Sequence, residues 1–377
     1  MAFNQKLKLG VLGGGQLGRM LIQSAIDFNL DVSILDPDEH APCCILTSNF
    51  HIGKLTDYDS VYQFGKNCDV ITIEIENVNI EALKALRKEG IKVFPQPEVI
   101  SLIQNKRIQK QFYKDNGIPT SDFVLTENRS DVEWHKELLP AVNKLGREGY
   151  DGRGVQILRN EDDLHRAFDS PGLLERLVDF DKEISVIVAR NVSGEITTFP
   201  AVELVFHPVH NLVEYLFAPA DIDEEIRLKA DNIARDLISK LDMVGLLAVE
   251  MFVENGEVLV NEMAPRPHNS GHQTIEGNIT SQYEQHLRAI LDWPLGSTNQ
   301  IIPAAMVNIL GEDGYEGEAI YNGMDKVLKE KGVHVHLYGK KITKPFRKMG
   351  HVTVVGDDVQ RLKQTIKFIQ QNLKIIA

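Results

Sequence analysis

The chain has 377 residues, enough for two or three domains. Hydrophobic residues make up 43% and charged residues 25%, a mixture typical of globular proteins and not of disordered or collagen-like chains. The 41 basic and 54 acidic residues leave a net charge of −13 without an evident basic patch, which argues against nucleic acid as a partner. No apolar run approaches the ~20 residues that a membrane helix needs.

Cysteine usage indicates a reducing compartment. Cys43, Cys44 and Cys68 are too few for a disulfide framework and lack the paired spacing of a zinc site. The first residues lead into a strand-like segment without the apolar core of a signal peptide. The sequence therefore predicts a reduced, soluble protein of the cytoplasm.

The first hundred residues alternate between strand-like and helix-like segments. An apolar strand over residues 7–12 leads through a glycine-rich turn into a helix, and a second strand ends at Asp36. A strand over 70–75, a helix over 80–89 and a strand over 91–94 follow. Such alternation predicts a doubly wound, Rossmann-like parallel sheet with helices on both faces.

The glycine-rich turn, Gly13–Gly18, fits the pattern G-x-G-x-x-G between a strand and a helix. It brings backbone N–H groups and a helix N-terminus toward an anion. Read alone, the pattern leaves two interpretations open. One is a dinucleotide site, as in an NAD-dependent dehydrogenase, and the other is a tight turn that binds no nucleotide.

A second glycine-rich segment, Gly149–Gly154, follows a helix predicted over residues 99–116 and lies between predicted strands. Lys144 comes just upstream, on one of those strands. A hairpin of this kind can close over a polyphosphate, with Arg153 and Lys144 supplying positive charge. The alternative is a solvated loop with incidental charges.

Two acidic positions end two neighbouring apolar runs. Glu250 follows residues 246–249, and Glu262 follows residues 258–261, with the hairpin signal Asn255-Gly256 between them. Two carboxylates that converge beside apolar strands repel each other unless a cation such as Mg²⁺ neutralises them. Simple exposure at the strand ends is the alternative.

The register of this hairpin decides whether the acids meet. A two-residue turn would place Glu250 opposite Asn261 and turn Glu262 to the other face. A three-residue loop with Gly256 as a left-handed bulge would place Glu250 and Glu262 on the same face. We predict the bulged register.

The segment after Glu262, residues 264–272, is predicted to be too polar for the core and to bind a ligand. His268 and His272 have the i, i+4 spacing of zinc ligands, but prolines break any helix and no third ligand stands out. A last cluster combines Lys340, Arg347, Lys348 and His351. It could hold a phosphate monoester or form a solvated face.

Taken together, these segments resemble the ATP-grasp superfamily: a lysine on a strand, a glycine-rich flap, an acidic hinge, and Glu with Asn-Glu for magnesium. Within it the chain resembles the 5-(carboxyamino)imidazole ribonucleotide synthases, the ATP-dependent carboxylases of bacterial and fungal purine biosynthesis. The strings that carry this resemblance are GGGQLGRM at Gly13–Met20, GYDGRG at Gly149–Gly154, NEMAPRPHNSGH at Asn261–His272, SQYEQHLRAI at Ser281–Ile290 and RKMGH at Arg347–His351.

The resemblance implies a reaction, a fold and a domain division. Aminoimidazole ribonucleotide, bicarbonate and MgATP would give the N-carboxyamino product, ADP and phosphate through carboxyphosphate. The fold would combine α/β and α+β parts. The domains would be a Rossmann-like pre-ATP-grasp domain (1–104), an ATP-grasp domain (105–298) with a flap (about 120–186), and a small β-rich C-terminal domain (299–377).

For ATP and its metal, the resemblance implies contacts to the phosphates, the adenine and the ribose. These are Lys106 and Lys144 for the phosphates; Gly149, Tyr150, Asp151, Gly152, Arg153 and Gly154 for the flap; Glu175, Arg176, Leu177 and Val178 for the adenine hinge; Glu183 for the ribose; Glu250 and Glu262 for Mg²⁺, assisted by Asn261; and His207, one place later than the family histidine.

For the ribonucleotide, the resemblance implies residues from all three domains. They are Gln16, Glu76, Tyr150, Asp151, Arg153, Arg266, His268, Asn269 and Ser270, with Lys340 and Arg347 for the 5′-phosphate. The catalytic candidates are Asp151, His268, Arg266 and Arg153. Asp151 and His268 would handle the proton that the attacking amine loses.

The resemblance also implies a homodimer with no nucleic-acid or membrane partner. Three alternatives stay open at this stage. They are a different ATP-grasp carboxylate–amine ligase, the NAD-dependent dehydrogenase suggested by the first glycine turn, and a catalytically inactive nucleotide-binding regulator.

Overall fold

The computed structural model describes residues 7–147, 154–206 and 213–377. Several predicted site residues lie outside these ranges: Gly149, Tyr150, Asp151, Gly152, Arg153 and His207.

The N-terminal part is a parallel sheet flanked by helices. Its strands are β1 (Lys8–Leu12), β2 (Asp31–Asp36), β3 (Phe50–Ile52), β4 (Val70–Ile73) and β5 (Lys92–Val93), and its helices are α1 (Gln16–Asp27), α2 (Tyr58–Gly65), α3 (Ile80–Lys88) and α4 (Pro97–Ile103). The strand order is β3-β2-β1-β4-β5, and all pairs are parallel. This confirms the predicted Rossmann-like sheet.

The glycine-rich turn after β1 is occupied by carboxylates of the protein itself. The backbone N–H of Gly14 donates to Asp36 Oδ2 at 2.6 Å, and that of Leu17 donates to Glu74 Oε1 at 3.1 Å. A Cβ atom at Gly15 would collide with the Glu74 carboxylate. The glycines therefore let two carboxylates take N–H groups that a dinucleotide phosphate would otherwise use. This geometry favours a turn that binds no dinucleotide.

The helix predicted over residues 99–116 is in fact two helices. α4 ends at Ile103, and α5 spans Lys106–Asp115. The side chain of Asn105 accepts a hydrogen bond from the backbone N–H of Arg107 at 3.0 Å, which caps the second helix. This cap places Lys106 at the N-terminus of α5.

A small antiparallel sheet forms the predicted flap region. Its strands are β6 (Phe123–Thr126), β7 (Ala141–Leu145), β8 (Val155–Leu158) and β9 (Gly172–Arg176), in the order β6-β9-β7-β8. A short helix, α6 (Arg129–Trp134), and two 3₁₀ turns (Lys136–Leu138 and Glu161–Arg166) connect them. The glycine-rich segment lies between β7 and β8 in the chain.

A large antiparallel sheet joins the ATP-grasp part to the C-terminal part. Its described strands are β10 (Lys182–Arg190), β11 (Ile196–Thr198), β12 (Val202–Phe206), β13 (Val213–Ala218), β14 (Gly245–Glu254), β15 (Glu257–Ala264), β16 (Ala304–Leu310), β19 (Val333–Leu337) and β21 (Lys348–Val355). The order is β15-β14-β10-β12-β13-β16-β21-β19, and β11 pairs with β10. Strands from before and after residue 298 pair within this one sheet. The domain boundaries at residues 104 and 298 stay predictions.

Short pairs and helices complete the fold. These are β17 (Gly317–Glu318) with β20 (Ile342–Thr343), β18 (Ile320–Asn322) with β22 (Lys374–Ile376), the 3₁₀ turn Asn269–Gly271, and the helices α7 (Glu224–Lys240), α8 (Thr274–Gly277), α9 (Gln282–Ile290), α10 (Met324–Val327) and α11 (Val359–Asn372). Within the described ranges, none of the helices combines the length and the apolar character needed to cross a membrane.

The two faces of the large sheet have different roles. On one face, alternate residues of β10 and β14, such as Ile184 and Val249, pack against Ala230 and Leu237 of α7 in an apolar core. Because side chains alternate along a strand, the intervening residues point to the opposite face. Glu183, Ser185 and Glu250 lie on that opposite face. The packing of α7 against one face of the sheet therefore leaves these polar side chains on the other.

His286 connects α9 to the N-terminal sheet. Its Nε2 lies 2.8 Å from Thr72 Oγ1 of β4, and both side chains are fully buried. Burial lowers the pKa of the imidazole to about 3. The folded protein therefore holds this ring neutral at an internal boundary.

We expect acid to destabilise the protein partly through His286. Its pKa returns to about 6.5 on unfolding, so the unfolded state binds the extra proton below that value and stability falls as the pH drops. Between about pH 7 and pH 5 this group should contribute about 2 kcal/mol to the loss. His286→Gln should remove that share, as measured by urea denaturation at both pH values.

The exposed His334 provides the matched control, because His334→Gln should leave the pH dependence unchanged. An equal loss of stability in wild type and His286→Gln would contradict the prediction.

Candidate active site

The loop between β14 and β15 differs from the predicted one. Asn255 and Gly256 form a two-residue turn, and Glu254 pairs with Glu257. Both turn residues have positive φ, 51° and 80°, as a type I′ turn requires. The predicted three-residue loop with a bulge at Gly256 is therefore wrong, because asparagine also tolerates positive φ.

A bulge further along the hairpin brings the two acids together. Met251 pairs with Val260, whereas Glu250 pairs with Glu262, so Asn261 is the additional residue of β15. Directly paired residues project from the same face of a sheet. Glu250 and Glu262 therefore converge as predicted, but through a bulge at Asn261 and not through the turn.

Three carboxyl groups meet on this face. Burial, followed by the charge of Glu262, raises the pKa of Glu250 to about 8. Burial and the charges of Glu250 and Glu262 raise the pKa of Glu183 to about 9. Lys106, whose Nζ lies 2.8 Å from Oε2 of the partly exposed Glu262, lowers the pKa of that carboxyl to about 2. The cluster therefore favours an added cation.

Lysines from α5 and β7 face these carboxylates. Lys144 Nζ donates to Asn261 Oδ1 at 3.0 Å and also pairs with Glu175. Lys110 Nζ lies 2.6 Å from Glu175 Oε2, and both side chains are only 3% exposed. Burial would raise the pKa of Glu175, but Lys144 and Lys110 lower it to about 2. The site thus combines acids with cations suited to phosphate.

These side chains line one narrow cleft. Its lining residues are Lys106, Gln109, Lys110, Lys144, Leu173, Asn261 and Glu262. Sequence reasoning identified Lys106 and Lys144 but missed Lys110. The available signal was the spacing, because a lysine four residues after Lys106 lies on the same face of a helix.

The predicted adenine hinge, residues 175–178, begins with the last two residues of β9. Its backbone is partly engaged within the protein, since the N–H of Arg176 donates to Asp122 O at 2.9 Å and that of Leu177 donates to Pro140 O at 3.0 Å. The Arg176 guanidinium forms two bonds to Glu254, at 2.9 and 2.7 Å. Adenine recognition by this segment stays a prediction.

The segment predicted to be too polar for the core, residues 264–272, is buried or half-buried throughout. Ser270 and His272 are at most 2% exposed. Polar groups can be buried when they are paired, and His272 Nδ1 lies 3.0 Å from the Tyr283 hydroxyl. The prediction that this segment is too polar for the core is therefore wrong for residues 270–272. Among the described residues, no group of three or more His, Cys, Asp or Glu side chains is arranged to hold a metal ion.

His268 lies at the edge of the acidic cluster. Its Nε2 is 3.6 Å from Glu250 Oε1, and its Nδ1 is 3.0 Å from Ser270 Oγ, which in turn lies 2.8 Å from Ser185 Oγ. Asn269 exchanges amide hydrogen bonds of 3.0 and 2.9 Å with Asn308. Ser270 and Asn269 therefore hold the loop on the sheet and orient the His268 ring.

The N-terminal part contacts the loop that follows β15. Arg266 Nε lies 2.9 Å from Glu76 Oε1, and Gln16 is half-buried at the start of α1. Burial raises the pKa of Glu74 to about 7, against the opposing charges of Arg266 and Lys340. Arg266 and Lys340 therefore both lie near the N-terminal sheet, and a common site for the predicted ribonucleotide residues stays a prediction.

In the predicted basic cluster of the C-terminal part, the surroundings of Lys340, Arg347 and Lys348 differ from those of His351. Lys340 Nζ donates to Lys348 O at 2.8 Å, and Arg347 Nη1 donates to Ile342 O at 2.6 Å. Lys348 faces the site, because its charge opposes the raised pKa of Glu250. His351 is fully buried, and burial holds its pKa well below 6.5, so its assignment to a basic surface is wrong.

Comparisons with known proteins match three consecutive parts of the chain. Residues 6–104 match a ribonucleotide synthetase preATP-grasp domain, residues 111–283 an ATP-grasp domain, and residues 304–365 a phosphoribosylaminoimidazole carboxylase C-terminal domain. With the paired acids and the lysines of the cleft, these matches make the chain an ATP-grasp ligase.

Individual similar proteins identify the family within the ATP-grasp ligases. The N5-carboxyaminoimidazole ribonucleotide synthase of Bacillus subtilis is 37% identical over 92% of this chain and 90% of its own length. The chloroplastic phosphoribosylaminoimidazole carboxylase of Vigna aconitifolia is 36% identical over 96% of this chain, which spans 66% of that longer protein. The chain therefore belongs to the N5-carboxyaminoimidazole ribonucleotide synthase family, which confirms the resemblance.

Solved structures give the same result. The N5-carboxyaminoimidazole ribonucleotide synthetase of Thermotoga maritima is 40% identical, with a TM-score of 0.91 over 98% of this chain and 99% of that one. An Aspergillus clavatus synthase in complex with ADP and 5-aminoimidazole ribonucleotide is 33% identical, with a TM-score of 0.89 and coverages of 98% and 99%. The predicted fold class is confirmed, and the dehydrogenase alternative is set aside.

We expect Glu250→Gln to stabilise the ligand-free protein. A buried carboxyl whose pKa rises on folding destabilises the native state near neutral pH, and the neutral amide removes that effect. The free energy of unfolding should increase by roughly 1–3 kcal/mol, measured by urea denaturation without nucleotide or divalent cation.

The exposed Glu257 of the same hairpin provides the control, and Glu257→Gln should change stability by less than about 0.5 kcal/mol. A Glu250→Gln variant less stable than wild type would contradict the electrostatic interpretation.

Proposed function

We propose that this chain carboxylates 5-aminoimidazole ribonucleotide with ATP and bicarbonate, giving N-carboxyaminoimidazole ribonucleotide, ADP and phosphate in purine biosynthesis. The proposal rests on one observation: Lys106 and Lys144 lie beside the Glu250–Glu262 pair in a chain of this family. An Aspergillus clavatus relative with the same fold binds ADP and the ribonucleotide together.

In the nucleotide half, Lys106 and Lys144 would bind the phosphates of ATP. Both are paired with carboxylates in the ligand-free protein, so they would exchange those partners for phosphate oxygens. Glu183, on the same face as Glu250, would accept hydrogen bonds from the ribose. Residues 175–178 would contact the adenine edge.

Glu250 and Glu262 would hold Mg²⁺, assisted by Asn261. The donor set fits the ion, because Mg²⁺ takes one or two carboxylates and completes its shell with phosphate oxygens and water. Burial and the charge of Glu262 raise the pKa of Glu250 even though Lys348, Lys106 and Arg266 oppose the shift, so a bound cation would stabilise its ionised form. When bound, the ion would neutralise the phosphates and stabilise the charge that develops during phosphoryl transfer.

The first chemical step joins bicarbonate to the γ-phosphoryl group. A bicarbonate oxygen forms a bond to the γ-phosphorus while the bond to the β-phosphate oxygen breaks, which gives carboxyphosphate and ADP. The protein contributes alignment and positive charge, which Lys106, Lys144 and Arg266 would supply.

The second step transfers the carboxyl group. The exocyclic amine nitrogen of the ribonucleotide bonds to the carboxyl carbon, the bond from that carbon to the phosphate oxygen breaks, and the amine loses a proton. His268 would accept that proton, since Ser270 orients its ring. Asp151 and Arg153, outside the described residues, are the other proposed catalytic groups.

In the ribonucleotide half, Lys340 and Arg347 would hold the 5′-phosphate. Gln16, Glu76, Asn269 and Ser270 would surround the remainder of the molecule, with Tyr150 of the flap. The Glu76–Arg266 ion pair joins the N-terminal and ATP-grasp sides of this region. We further propose a cytoplasmic homodimer that has small molecules as its partners.

Release of ADP tests the proposed function. With MgATP, bicarbonate and aminoimidazole ribonucleotide present, omission of any one should abolish release. Release that does not depend on the ribonucleotide would show a different ATP-grasp ligase, and no release under any condition would contradict the enzyme assignment.

Arg347→Ala should weaken binding of the ribonucleotide without weakening binding of ATP. Loss of a guanidinium–phosphate contact should raise the KM for the ribonucleotide roughly tenfold or more, with the KM for ATP within about twofold. Steady-state kinetics with each substrate varied in turn measures both values. Equal increases in the two KM values would contradict the assignment of Arg347 to the ribonucleotide phosphate.

A further inference from the structure

We propose that Lys110 is a positioning residue that holds Glu175 and thereby leaves Lys144 able to bind the nucleotide. The inference rests on the proposed function, since it assigns Lys144 to the phosphates of ATP. It concerns a lysine that would not itself contact ATP.

Two lysines share one buried carboxylate. Lys110 Nζ lies 2.6 Å from Glu175 Oε2, while Lys144 pairs with Oε1 of the same group. Glu175 and Lys110 are each 3% exposed, and Lys144 is 9% exposed. Water therefore contributes little to stabilising the Glu175 charge, and the two ammonium groups provide most of the compensation.

Lys110 is fixed more firmly than Lys144. Its Nζ donates to Thr120 Oγ1 at 2.6 Å and to Ser121 Oγ at 3.2 Å, in addition to Glu175. Ser121 Oγ also donates to Glu175 Oε2 at 3.0 Å, and Thr120 Oγ1 donates to Val260 O at 2.7 Å. The Lys110 ammonium cannot leave Glu175 without breaking this network.

Lys144 forms fewer hydrogen bonds and ion pairs than Lys110. Its partners are Glu175 and the Asn261 amide oxygen, and Asn261 is the bulged residue beside the acidic pair. When Lys144 turns to a phosphate, Lys110 remains on Glu175 and keeps that carboxylate compensated. Without Lys110, Lys144 would be the only cation paired with a buried charge, and Glu175 would retain it.

The test measures binding of MgATP by isothermal titration calorimetry, without bicarbonate or ribonucleotide. Lys110→Met removes the charge with little change in volume, and it should weaken ATP binding about tenfold or more. Lys114→Met, at an exposed position in the last turn of the same helix, is the matched control and should bind as wild type does.

A second substitution distinguishes this role from a loss of structure. Lys110→Arg keeps a positive charge beside Glu175 and should bind ATP within about threefold of wild type. In steady state, Lys110→Met should raise the KM for ATP and leave the KM for the ribonucleotide unchanged.

Two results would overturn the proposal. One is wild-type ATP affinity in a folded Lys110→Met variant, and the other is a folded Lys110→Arg variant that binds as weakly as Lys110→Met. Should Lys110→Met not fold, Lys110→Arg decides alone, and binding at least tenfold weaker than wild type by that folded variant refutes the role. Ribonucleotide-independent ADP release would refute the proposed function without affecting these binding measurements.

Discussion

The site depends on the compensation of charges that water barely reaches. One face of β10 and β14 is covered by α7, and the other carries carboxyl groups at Glu183 and Glu250. Such groups must be protonated or paired with cations. Lys106 pairs with Glu262, and Lys110 and Lys144 pair with Glu175. A polyanion that enters the cleft therefore has to exchange partners with carboxylates already in place.

This arrangement concentrates unfavourable electrostatic energy at the residues proposed for the chemistry. Glu250 lies opposite Glu262 on adjacent strands, and both its burial and the neighbouring charge oppose its ionisation. A fold optimised for stability alone would not keep that pair. Sites that are unfavourable by themselves commonly become favourable when their ligand supplies the missing charge. A bound cation would stabilise the ionised forms of the carboxyl groups whose pKa values these surroundings raise.

The sequence predicts the layers of the fold better than its local details. Alternation of strands and helices correctly indicates the parallel N-terminal sheet, and apolar runs correctly locate β14 and β15. The position of the bulge could not be read from the pattern, because Asn255-Gly256 and Asn261 both allow an irregular backbone. Lys110 was missed because burial of a lysine depends on a carboxylate, Glu175, that lies 65 positions away in the chain. Residues 270–272 were misjudged because pairing, and not composition, determines whether polar groups are buried.

The continuity of the large sheet has a consequence for ligand design. Its hydrogen-bonded strands run from β15 to β19, so the loop with His268 and the strand with Lys348 belong to one framework. The sheet β6-β9-β7-β8 is separate, and among the described residues one isolated bridge joins Thr120, just before β6, to Val260 of β15. A rigid inhibitor shaped for the sugar-phosphate region would meet a preformed surface. An adenosine mimic would instead bind between two frameworks, and its affinity would depend on their relative angle.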